Sequence, residues 1–383
     1  MHATFDTAGP VATNGTTGRA LGRRELLKLA GSGAVALGLL PATGGPAAAQ
    51  PPVAPPTAAW DKTFPRNPTV DHRKVVFDNR LGIRLVGDLY VPKDLDPARR
   101  HPALIVGHPF GGVKEQTSGL YAQTMAERGF VTLAFDASRN GESGGAPHFM
   151  PSAEAFVEDY SAAVDYLGVQ PLVDRERIGV LGICGGGGFG LAAAEIDPRI
   201  RAVATVSLYD IGQGMRQGLA ERFDPAPLRG LLGAVAAQRW VEAAGGARAM
   251  RFGVPEALTA RSGAVDREFY DYYRTPRGQH PRATTAVTVT SGAAMTLFSA
   301  FERLDWLAPR PVLFVMGEHA HSRVFSEQGF ARAAEPKELY VVPGAGHVDL
   351  YDRVDLIPWA KLTAFFTQHL PARAPTRAAS AAG

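Results

Sequence analysis

The chain has 383 residues, enough for one large domain or two, with 45% hydrophobic and 20% charged side chains and a formal charge of +3. That is the balance of a globular protein with a sizeable core. Two of the three net charges lie within residues 1–49, where Arg19, Arg23, Arg24 and Lys28 face only Asp6 and Glu25; the rest lacks a Lys/Arg cluster, which argues against nucleic acid as a partner.

Gly22–Lys28 (GRRELLK) reads as the basic region of a twin-arginine leader. Leu29–Leu40 is a weakly apolar Gly/Ala-rich segment, and Ala47–Ala49 is a small-residue cleavage site. The apolar run is too short to span a bilayer. Residues 1–49 are therefore expected to be an export signal, leaving a periplasmic or secreted enzyme with no stable membrane anchor. The single cysteine, Cys184, can form no internal disulfide, and an exported free thiol is open to oxidation, so its presence asks for a reason.

Residues 50–72 are proline-rich and predict an extended linker. From Arg73 strands and helices alternate. Lys74–Asn79 and Ile83–Pro92 predict a hairpin, Ala103–Gly107 a short buried strand, and Leu120–Arg128 a helix. Phe130–Phe135 and Ile178–Ile183 predict further buried strands, with a helix over Ala153–Leu167 between them. A glycine-opened helix follows to Glu195, then a strand at Arg201–Val206. Residues 211–305 are helix-rich and break the rhythm. It resumes with strands at Pro311–Met316 and Lys337–Val342 and helices at Ser322–Ala334 and Leu356–His369; residues 371–383 predict a frayed tail. Such alternation implies an α/β fold: a mostly parallel sheet with helices on both faces, its site at the carboxyl ends of the strands, and the insertion (about 211–305) as a helical cap.

Gly182-Ile-Cys184-Gly-Gly186 follows a strand directly and opens a helix, the context of a nucleophile elbow. The tight turn needs small neighbours, and the helix N-terminus is expected to hold the thiol pKa down. His347, on the loop after the last strand, can reach Cys184 as general base. An acid should lie between them, after the strand Pro311–Met316, where Glu318 is the carboxylate available. The amides of Gly185 and of Phe110, in His108-Pro-Phe-Gly-Gly112, are the expected oxyanion donors.

In the segments HPFGGVKEQTSGLYAQTMAERGF, FDASRNGESGG, RIGVLGICGGGGFG, EFYDYYRTPRGQHPR, GEHAHSRVFSE and VVPGAGHVDLYD the chain resembles α/β-hydrolases of the dienelactone-hydrolase and YcjY-like group, and also fungal polyketide acyltransferases. The resemblance covers roughly residues 73–370. The resemblance implies an α/β-hydrolase fold in which Cys184 and His347 match a Cys-His-Asp triad. The usual Asp falls where this sequence has His319, Ala320 and His321, which leaves Glu318 or Asp210 as the acid.

Other motifs point elsewhere. Gly141-Glu-Ser143-Gly-Gly145 matches G-x-S-x-G but lies beyond its strand and runs into Ala146-Pro147, so it reads as a shaping loop, with Asp136 and Arg139 as structural hydrogen-bonders and His108 shaping the oxyanion loop. Gly185–Gly190 with Asp210 outlines a dinucleotide fingerprint whose glycines start too late. His319 and His321 without further ligands are weak evidence for metal. The expected chemistry is cleavage of a small-molecule ester, lactone or thioester through a Cys184 acyl-enzyme, with no metal or organic cofactor. The alternatives are acyl transfer by the same residues and an inactive hydrolase fold used for binding. The cap aromatics Phe269, Tyr270, Tyr272, Tyr273 and Trp240 are candidate walls of the acyl site. The sequence is silent on oligomeric state.

Overall fold

The computed structural model describes residues 60–219 and 223–372, together with the backbone of Leu39–Leu40. Most of the predicted leader, residues 50–59 of the linker and residues 373–383 of the tail lie outside the described residues.

Eight strands form one sheet: β1 (Val70–Asp78), β2 (Arg84–Pro92), β3 (His101–Gly107), β4 (Val131–Phe135), β5 (Val173–Ile183), β6 (Ile200–Val206), β7 (Val312–Gly317) and β8 (Lys337–Val342). Their spatial order is β8-β7-β6-β5-β3-β4-β2-β1. β1 and β2 pair antiparallel, β2 joins β4 antiparallel, and every other neighbouring pair is parallel. Alternate residues of the central strands feed two cores. Leu104, Val106, Leu181 and Ile183 pack on one face, Ala103, Ile105, Ile178 and Val180 on the other. Burial on both faces is why these strands read as unbroken apolar runs.

Helices α1 (Thr117–Ala126), α2 (Ala153–Gly168) and α3 (Gly185–Ile196) fall between the strands. The cap follows β6. It contains α4 (Ile211–Gln217), α5 (Pro225–Ala243), α6 (Ala264–Tyr273) and α7 (Ser291–Met295). Its two strands, Met250–Phe252 and Ala286–Thr288, pair antiparallel, and the Leu39–Leu40 backbone adds a third strand to them. α8 (Arg323–Arg332), the short α9 (Asp349–Asp352) and α10 (Trp359–His369) complete the fold. Side chains of α1 and α10 cover the first core, and those of α2, α3 and α8 the second.

The linker ends earlier than its composition implies. Phe64 is buried, the Trp60 indole N–H donates to the Phe64 carbonyl, and Lys62 pairs with the fully buried Asp88 at 2.8 Å. An aromatic pair and an ion pair thus fasten residues 60–69, which a proline count does not register. Among the described residues, no helix is long and apolar enough to cross a membrane.

Candidate active site

Cys184 stands between β5 and α3 with φ 54° and ψ −124°, a region L-residues rarely adopt, costing of order 1–3 kcal/mol. The turn is held by the Cys184 amide donating to Val206 O at 2.9 Å and by Gly187 N and Tyr209 N donating to the Cys184 carbonyl. Its flanking glycines have steric reasons. A Cβ on Gly182 would lie 2.4 Å from Gly187 Cα, and one on Gly186 would lie 2.5 Å from the His108 carbonyl oxygen. The rest of the glycine run packs α3 against its surroundings: a Cβ on Gly188 or Gly190 would meet Tyr209 O or Val180 Cγ1 at 2.7 Å.

The amides of Gly185 and Phe110 and the Tyr351 hydroxyl all face the Cys184 sulfur, near enough to favour its thiolate. Two amides from different segments converge on one point because the loop after β3 is tied down. Gly112 N donates to Pro109 O at 2.8 Å, Asn140 Nδ2 to Gly112 O at 2.7 Å, and Lys114 N to Asp136 Oδ1 at 2.8 Å. His108 Nε2 accepts from the Ala137 amide at 3.1 Å while its Nδ1 lies 2.8 Å from Pro109 O, a shaping role. Two cavities of about 20 Å³ flank Phe110. One is lined by Phe156, Phe189 and Tyr160, the other by Arg139, Phe149 and Val287.

His347 is fully buried. Its Nδ1 lies 2.6 Å from Ser322 Oγ and its Nε2 3.0 Å from the Tyr351 hydroxyl oxygen. The His321 ring lies tilted over it with centroids 4.5 Å apart, and Phe269 meets it edge-on at 5.4 Å. The cap reaches this site through Glu268 on α6, which accepts from Val348 N at 2.7 Å and from His321 Nδ1 at 3.0 Å. Arg277 donates to Asp352 through Nε and Nη2, at 2.9 and 2.7 Å, fastening the cap beside α9.

Neither carboxylate suggested as the acid is bonded to His347. Glu318 is half exposed and accepts from the Gly344 amide at 2.8 Å. Asp210 is buried, capping α4 through Gln213 N at 2.8 Å and holding Ala300 N at 2.9 Å. Ser322 occupies the position at Nδ1 instead. Ser322, Glu268 and Tyr351 escaped the sequence reading. The four-residue spacing of His347 and Tyr351 was a legible signal for one of them; the contact of Glu268 depends on where the cap lands. Of the expected cap walls, Phe269, Tyr272 and Tyr273 do reach the site, whereas Trp240 is 78% exposed.

The electrostatics correct one expectation. Burial pushes the Cys184 thiol up to about 11, with the Tyr351, Gly185 and Phe110 donors opposing. Burial also drives His347 well below the ordinary imidazole value, with His321 adding to the effect. Both shifts favour the neutral forms, so the resting site holds a thiol and an imidazole, not an ion pair.

His319 is largely exposed while His321 is turned inward to Glu268. Among the described residues, Glu115, Asp136 and Glu142 come close enough to share an ion, and the Lys114 ammonium already sits among them at 2.5, 2.8 and 2.6 Å. Ser143 of the G-x-S-x-G match is likewise structural, donating to Asp136 O at 2.6 Å and accepting from Val86 N at 2.9 Å.

Comparison with known proteins agrees with the fold. PA2218 of Pseudomonas aeruginosa is 49% identical over 319 residues, covering 82% of this chain and 85% of that protein. Its crystal structure superimposes with a TM-score of 0.79, at 48% identity over 82% of this chain and 98% of that one. YcjY of Escherichia coli K12 is 37% identical over 293 residues, 73% of this chain and 93% of YcjY. A thiohydrolase of Eupenicillium brefeldianum is 26% identical over 79% of this chain and 96% of that protein. The alpha/beta hydrolase GrgF from Penicillium sp. sh18, at 24% identity over 78% of this chain and 99% of GrgF, shares the fold with a TM-score of 0.66. Residues 82–284 match the family model described as X-Pro dipeptidyl-peptidase (S15 family). The chain has the α/β-hydrolase fold and belongs to the S15 family.

Proposed function

We propose that the protein is an acyl-transfer hydrolase that cleaves a thioester, ester or lactone through a Cys184 acyl-enzyme, with His347 as its base. The observation that carries this reading is the convergence of the Gly185 and Phe110 amides on a cysteine in a strained elbow. Those donors are placed to bind the oxyanion as the sulfur attacks. The new S–C bond sends the carbonyl π electrons to oxygen, and the thiol proton passes to His347. Collapse expels the thiol or alcohol leaving group, which takes that proton. Water then attacks the acyl-cysteine, gives a proton to His347, and the C–S bond breaks to restore the thiol.

Family membership fixes fold rather than the bond cleaved. A tetrahedral intermediate formed by thiol attack on an amide expels the thiolate more readily than an amine, which favours ester and thioester substrates over peptides. The thiohydrolase relative points the same way. Acyl transfer to an alcohol or amine is the second reading, supported by the 5% exposure of Cys184 under an aromatic cap that limits water. The reading places the mature enzyme outside the cytoplasm through the twin-arginine leader, and a cleaved N-terminus at Gln50 in exported protein would test it.

The deciding experiment is intact-mass spectrometry after brief exposure to p-nitrophenyl acetate, with peptide mapping and a Cys184→Ala control. A transient acyl adduct on Cys184 is expected. Turnover that persists in Cys184→Ala would reject the mechanism.

A further inference from the structure

Cys184 and His347 share no hydrogen bond among the described residues; one side chain stands between them. The groups that favour the Cys184 thiolate are the Gly185 and Phe110 amides and Tyr351, and the ring partners of His347 are Ser322 and Tyr351. We infer that Tyr351 is a catalytic proton relay: its hydroxyl takes the thiol proton of Cys184 as it gives its own proton to His347. The inference rests on the Cys184–His347 reading above and adds the path by which that base acts.

Position and chemistry both favour it. Tyr351 lies four residues after His347, on α9, so one turn of chain sets both groups side by side. Its hydroxyl oxygen is 3.0 Å from His347 Nε2, and the same hydroxyl is near enough to the Cys184 sulfur to stabilise its thiolate. A phenol offers one donor and two acceptor sites. In the tautomer that leaves Nε2 free as a base, Tyr351 donates to Nε2, and its oxygen lone pairs are left to accept from Cys184 S–H. When the sulfur attacks, its proton moves to the Tyr351 oxygen and the original phenol proton moves to Nε2. Tyr351 ends neutral, now donating to whatever negative charge remains on sulfur, and His347 ends protonated.

The side chain is also held rather than adjustable. Tyr351 is fully buried, packed edge-on against Tyr272 with centroids 5.2 Å apart. Its main chain serves too, the Tyr351 carbonyl accepting from Thr117 Oγ1 at 2.7 Å. A bulky aromatic serving only as filler would not need its hydroxyl directed between nucleophile and base.

The test compares wild type and Tyr351→Phe, which removes one oxygen and keeps the ring. Single-turnover acylation by p-nitrophenyl acetate is followed by mass and by p-nitrophenolate release, in mixtures of H₂O and D₂O. The expected result is a Cys184 adduct in both proteins, formed at least about 100-fold more slowly in the variant. Wild-type rates should curve with deuterium fraction, as two protons in flight require, and the wild-type measurement stands whether or not the variant folds. Acylation of Tyr351→Phe near the wild-type rate, with a linear wild-type dependence, would overturn the relay and leave the Cys184 acyl-enzyme intact. Absence of any Cys184 adduct in wild type would reject the underlying reading and the relay with it.

Discussion

Ser322→Ala is the most informative single change, because it separates the group that meets His347 from the carboxylates that do not. In wild type the Ser322 oxygen is 1% exposed by residue and 2.6 Å from His347 Nδ1. Removing it leaves a fully buried ring nitrogen without a partner, which costs about 1–3 kcal/mol. If that energy is felt wholly in the transition state, kcat/KM falls about 5- to 150-fold, since about 1.4 kcal/mol is a factor of ten. Thermal stability should fall as well, because the orphaned nitrogen is buried in the ground state. Glu318→Gln is the natural control. Its side chain is half exposed and its one amide partner, Gly344 N, can be bonded by an amide oxygen too. That change should stay within about threefold. The assay is hydrolysis of p-nitrophenyl acetate and of a chromogenic thioester, alongside thermal unfolding. A loss of about 10³-fold or more in Glu318→Gln, with Ser322→Ala near wild type, would refute the assignment and make Glu318 the orienting acid.

Other outcomes follow from the same geometry. The raised thiol predicts that iodoacetamide alkylation of Cys184 climbs with pH toward about 11; a plateau near neutrality would reveal a resting thiolate instead. Because burial lowers His347, its basic form persists to lower pH, so the acid limb of kcat/KM should lie below the ordinary imidazole value of about 6.5. Glu268→Ala strips the Val348 amide and His321 of their acceptor, and should lower both melting temperature and kcat/KM, about tenfold for the latter. Gly186→Ala would press a Cβ to 2.5 Å from a backbone oxygen, where no rotamer gives relief, and should cost about 1–3 kcal/mol or more by thermal unfolding. Gly233→Ala, in α5 with open space around it, should instead stabilise by about 0.5–1 kcal/mol.

Much of the fold is legible along the chain because its signals are local. Buried parallel strands are apolar runs, and turns between them carry glycine and proline, so six of the predicted strands could be read to within a few residues. The elbow is local as well: Gly182, Cys184 and Gly186 sit within five residues, and a strained turn needs those residue sizes wherever it occurs. The same is true of the loop at Phe110, which follows its strand directly. What the sequence could not decide is which side chains meet across the site. Glu318 and Asp210 satisfied the expected order of residues, yet order along a chain does not fix the direction of a side chain; one points to a loop amide and the other caps a helix. Ser322 and Glu268 reach the His347 loop from segments 25 and 80 residues away in sequence from their partners. The thiol's ionisation was decided in the same way. A helix N-terminus can be read from the elbow motif and lowers a thiol pKa, but the burial that opposes it exists only once the cap and α9 have closed over Cys184. Local sterics are written in neighbouring residues, whereas desolvation and long-range hydrogen bonds arise only when distant segments pack.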